Sequence, residues 1–150
     1  MRKFYFSLQK VLEIKEQILK NLKSELNNFN QQLKNIEYEI VSLLEKYDET
    51  NKEFNEKSSV SISVGEMSYY KMYMSSMLRY VEKKEDDKLQ LNKKIESKRR
   101  EIINMNIEIS SLEKLREKEL MKYNEALMKS EEIFIDEFVA NSRMIKQYMF

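Results

Sequence analysis

The side chains available for chemistry are limited in kind before their spacing is considered. The 150 residues include no His and no Cys, so an imidazole base, a thiolate nucleophile and the usual nitrogen and sulfur metal ligands are all missing. What remains are 26 Asp and Glu and 27 Lys and Arg. A carboxylate becomes a useful acid or base when a pocket desolvates it and shifts its pKa, and carboxylates spread over solvated helix faces find no such pocket. A nucleophile paired with a base, a metal-ligand cluster and a Gly-rich phosphate loop cannot be assembled from these residues. The chain is therefore expected to be non-enzymatic, with no catalytic residues, no cofactor and no metal.

Charge points the same way. The net charge is +1, with both signs interspersed along the chain, which does not indicate a nucleic-acid binder. The run Lys98, Arg99, Arg100 reads as part of a solvated helix face. Gln9, Lys10, Glu13, Lys15 and Glu16 interrupt any apolar signal core near the start. No stretch approaches the roughly 20 apolar residues of a membrane span. A soluble, intracellular chain without direct membrane insertion is expected.

The elements that must position these side chains are long helices. Turns recruit Gly and Pro, yet this chain has one Gly and no Pro, while 35% of its residues are charged. One break interrupts the helical pattern: SSVSISVGE, Ser58 to Glu66, which holds Gly65. The sequence predicts a single coiled-coil hairpin domain over 1–150, with one helix over about 7–57, a loop over about 58–65 and a second helix over about 66–141. Ser7 is the expected N-cap of the first helix, with Phe6 and Val11 placed to form a hydrophobic staple. Ser63 and Glu66 fit a capping box for the second.

Alternating steps of four and three trace an apolar stripe, or seam, along the first helix. It runs through Leu8, Leu12, Lys15, Leu19, Leu22, Leu26, Phe29, Leu33, Ile36, Ile40, Leu43, Tyr47, Thr50 and Phe54. Only Lys15 and Thr50 depart from apolar or aromatic character. Such repetition is the mark of a left-handed coiled coil. The second helix gives Tyr70, Met74, Met77, Val81, Lys84, Lys88, Leu91, Ile95, Lys98, Ile102, Met105, Ile109, Leu112 and Arg116, a weaker seam because four positions are basic. Folding back at the loop brings together residues whose numbers sum to 124, so that Phe54 faces Tyr70, Leu33 faces Leu91 and Leu12 faces Leu112. Each seam Lys or Arg then meets an apolar residue, with its stem along the seam and its charge in water. A parallel homodimer would use the same stripes, provided that the loop were helical or each helix found a separate partner.

Two features exceed what a hairpin needs. Beyond Arg116 the second helix continues with Leu120, Tyr123, Leu127, Phe134 and Phe138 on one stripe, flanked by Met121, Met128, Ile135 and Val139. So much apolar surface on a lone helix calls for a cover: the chain's own MRKFYF segment, a second copy, or a groove or ring in a partner. After the loop, Tyr69, Met72, Tyr73 and Tyr80 lie off the seam, and such adaptable amphipathic groups suit a protein interface.

The opening FYFSLQKVLEIKEQ, the unequal hairpin, the YYKMYMSSML that follows the loop and the closing IDEFVANSRM together resemble the flagellar export protein FliJ family, over essentially the whole chain. The resemblance implies a cytoplasmic component of the flagellar type III protein export apparatus, shaped like the central stalk of rotary ATPases and peripheral to the membrane through its partners. The implied partners are the export ATPase hexamer, the export-gate membrane protein and export chaperones. It further implies an ATPase-facing end that here includes Phe4, Leu8, Val11, Leu12, Phe134 and Phe138, and a gate-facing hairpin tip with Tyr47, Tyr73, Met77 and Tyr80. The competing class is a coiled-coil spacer or chaperone-like adaptor unrelated to flagella.

Overall fold

The computed structural model describes residues 2–149. They form two helices, α1 (Gln9–Val60, 52 residues) and α2 (Val64–Met149, 86 residues), and no strand occurs among the described residues. The fold is all-α, an antiparallel hairpin of two unequal helices.

The connection is shorter than the composition of SSVSISVGE implies. Only 61–63 lie outside the helices. Ser59 turns its hydroxyl back onto the Glu56 carbonyl at 2.7 Å, and the Ser61 amide reaches the Lys57 carbonyl at 3.1 Å, so α1 runs three residues beyond the expected 57. At the other side the Glu66 amide donates to Ser63 Oγ at 3.1 Å and the Met67 amide to the Ser63 carbonyl at 3.0 Å. Ser63 is thus the N-cap of α2, as its spacing to Glu66 predicted. Gly65 lies inside the helix without a positive φ; the turn does not use its freedom. The far end also differs, since α2 continues past 141 to Met149.

At the start of α1 the expected cap shifts by one residue. The Leu12 amide binds the Leu8 carbonyl at 3.0 Å and the Gln9 amide binds the Phe6 carbonyl at 3.1 Å, which puts Leu8 rather than Ser7 in the capping position. Phe6 is 3% exposed while Val11 is 38% exposed. Phe6 is therefore a core residue, and its proposed staple partner faces solvent.

Contacts divide the chain into two compact units, Met1–Leu19 with Asn104–Phe150, and Lys20–Ile103. Within each, the two helices pair through the seam. In the first unit Leu12 and Ile109 are buried; in the second, Ile40, Tyr70, Met77, Leu91 and Ile95 are. All seven are seam positions, each contributing roughly 1.5–3 kcal/mol when fully buried. Every other seam residue is half-buried except Arg116.

The seam lysines complete the pairing with a refinement. Their stems lie between the helices, but their charges are not simply left in water. In the first unit Lys15 meets Glu108 at 2.7 Å. In the second, Lys84 meets Glu39 at 2.7 Å, Lys88 meets Glu37 at 3.6 Å and Lys98 meets Glu25 at 2.6 Å. Each carboxylate sits one residue from the apolar residue that its lysine faces, so these ion pairs mark the register as well as the side of the seam.

Candidate partner-binding surfaces

In the first unit the chain start folds onto α2. The rings of Phe4 and Tyr123 lie 5.7 Å apart, Tyr123 Oη donates to the Arg2 carbonyl at 2.6 Å, and the Arg116 guanidinium stands 5.7 Å over the Phe4 ring. Arg116 is exposed and serves this cation–π contact rather than the seam. Residues 2–6 thus cover the near part of the stripe, where Leu120 and Tyr123 are half-buried.

It leaves the far part open. Every residue from 131 to 140 is exposed, including Phe134 at 69% and Phe138 at 66%. Ile133, Ile135, Val139, Met144 and Ile145 extend this apolar surface. On α1, Val11, Ile14 and Ile18 are also exposed at helical spacing. Ile14 and Ile18 were not anticipated from the sequence; their spacing with Val11 was the available signal. Of the other residues assigned to this end, Phe4 and Leu8 are half-buried and Leu12 is buried. The surface open to a partner is therefore Val11, Phe134, Phe138 and their neighbours.

In the second unit the hairpin tip is held by an aromatic cluster. Phe54 packs on Tyr70 at 5.6 Å, Tyr70 Oη donates to Glu53 at 3.0 Å, and the Lys57 ammonium stands 5.4 Å over the Tyr70 ring. Chiefly the hydrogen bond with Tyr70 holds the Lys57 pKa above the ordinary lysine value. Met77 is buried and Tyr47 half-buried, so both are packing residues in this structure. Tyr73 and Tyr80 are exposed at 45% and 57%, and Tyr69 stacks on Tyr73 at 6.2 Å with nearly parallel rings.

Tyr80 also borders a groove of about 280 Å³ with Tyr38, Ser42, Leu43 and the Lys84–Glu39 pair. Tyr38, 76% exposed, is an off-seam aromatic of the same kind as Tyr69. Its place beside Tyr80 becomes visible only when α1 and α2 are laid together.

Among the described residues no helix is long and apolar enough to cross a membrane. The model of the family described as "Flagellar FliJ protein" matches residues 4–147. No curated protein and no solved structure matches.

Proposed function

The chain belongs to the flagellar FliJ family and is a component of the flagellar export apparatus; from that premise we propose that it is a non-enzymatic cytoplasmic stalk that binds the export ATPase ring at one end and the export-gate protein at the other. The observation that carries this reading is the apolar stripe around Phe134 and Phe138, which the chain's own N-terminal segment leaves uncovered. A partner's ring would bury it. Two aromatic side chains at roughly 1.5–3 kcal/mol each are enough to change occupancy by about a hundredfold or more.

The exposed Tyr73 and Tyr80, together with the less exposed Tyr47 and Met77, form the surface assigned to the gate. Export chaperones are further partners on the same reading. The stalk acts through binding, changing the turnover of the ATPase rather than catalysing a step itself. Titrating the protein into the cognate export ATPase should raise ATP hydrolysis to a plateau at a fixed ratio of the two. A flat response at saturating protein would leave a spacer or an adaptor as the better description.

A further inference from the structure

The near-neutral total conceals a segregation of charge that the fold creates. In the second unit, antiparallel pairing lays residues 20–36 beside 88–100, and both stretches are basic. Together they carry nine Lys and Arg against two Glu, a net charge of +7. The rest of that unit's tip, 37–87, carries twelve acidic against seven basic residues. The stretch 88–100 contains the basic run Lys98, Arg99, Arg100, and pairing sets the more sparsely basic 20–36 beside it.

Much of this charge is available. Lys88 and Lys98 are engaged with Glu37 and Glu25, and Arg100 with Glu96 at 3.5 Å. Lys20, Lys23, Lys34, Lys93, Lys94 and Arg99 are exposed and have no ion pair among the described residues. On a 3.6-residue helix whose seam is Leu91 and Ile95, Lys93 falls on the back, and Lys94 and Arg99 fall on opposite flanks. The basic surface is therefore a belt around α2, extended by the α1 lysines, rather than a patch on one face.

We propose that this belt is a third interaction surface, whose occupant is a compact, carboxylate-rich segment of a partner protein. Its shape and surroundings select that class. The belt spans about 17 residues, or about 25 Å of helix, and gives way to the acidic tip. A long polyanion extending from the belt toward the tip would run onto like charge. Single-stranded nucleic acid is held through aromatic stacking, yet the only aromatic residue in either stretch is the seam residue Phe29. A membrane surface needs an apolar anchor beside the basic residues, and charge spread around a helix cannot all meet a plane. A short acidic loop, or several arranged around the helix, satisfies each of these restrictions.

The test is binding of the full-length protein to a fluorescent oligoglutamate peptide at low salt, with duplex DNA and phosphatidylserine vesicles as parallel probes. The peptide is expected to bind, to be released as salt screens the belt, and to bind about tenfold or more weakly to Lys93→Glu/Lys94→Glu/Arg99→Glu. The control Lys114→Glu/Lys118→Glu/Lys122→Glu makes the same change in total charge outside the belt and should bind nearly as the parent does. Circular dichroism confirms helicity, and the milder Lys93→Gln/Lys94→Gln/Arg99→Gln set replaces any variant that has lost it. Equal weakening by the belt and control sets would overturn the proposal, as would peptide binding too weak to detect or tighter binding to DNA or vesicles.

Discussion

Lys98 of α2 reaches across the seam to place its ammonium 2.6 Å from Glu25 of α1, one residue before the Leu26 that it faces. Lys84 and Glu39 repeat the relationship beside Ile40. A lysine in a coiled-coil seam gives up apolar burial but gains a cross-helix partner at a defined height, which favours one register over its slipped alternatives. Replacing Lys84 and Lys98 with Leu is thus expected to raise the melting temperature while loosening specificity. Melts followed by circular dichroism, with light scattering to detect new oligomers, check both parts.

The same lysines set a pH dependence. The hydrogen bond with Glu39 holds the Lys84 pKa above its ordinary 10.5, and those with Glu25 and then Glu101 do so for Lys98. The folded state therefore binds these protons more tightly than the unfolded chain. Their contribution is complete below 10.5 and is lost as pH rises through the raised values. Stability should fall on going from pH 9 to pH 12, and less steeply in Lys84→Gln/Lys98→Gln. Urea melts across that range test the sign; equal slopes for parent and variant would contradict it.

Within the second unit, the register makes a distance prediction. Spin labels at the exposed Gln32 and Gln90 should be near one another within one molecule, also after dilution with unlabelled protein. A parallel pairing of two chains would hold these positions about 85 Å apart along the helix.

At the tip, exposure separates binding from packing. Tyr73→Ala/Tyr80→Ala should leave the melting temperature nearly unchanged and weaken binding to the gate protein's cytoplasmic part. Met77→Ala, at a 6% exposed site, should cost on the order of 2 kcal/mol or more, because it opens a cavity in the seam. A large loss of helicity in the tyrosine pair would identify those rings as packing residues instead.

The hairpin was legible because a heptad seam repeats its information many times. An error at Lys15 or Thr50 is outvoted by twelve other positions, and the facing register follows from the phases of two such lists. The loop was less legible. Ser59 and Val60 disfavour helix only weakly, and local hydrogen bonding together with the Ser63 cap outweighed their preference. Arg116 was misread because its partner, Phe4, belongs to a non-helical segment that no periodicity describes. The candidate surfaces were legible as apolar or aromatic residues left off the seam. Which of them stay uncovered depended on where residues 2–6 lie, and the basic belt depended on pairing stretches far apart in sequence.

The central claim is that the uncovered end of α2 enters the ATPase, and the most direct measurement is ATP hydrolysis by the export ATPase with parent protein and with Phe134→Ser/Phe138→Ser. Both side chains are exposed and lie beyond the Phe4–Tyr123 contact. The double variant should keep its melting temperature and its mass by light scattering, yet lose stimulation across the titration. Stimulation equal to the parent's, by a variant that remains folded, would contradict the account.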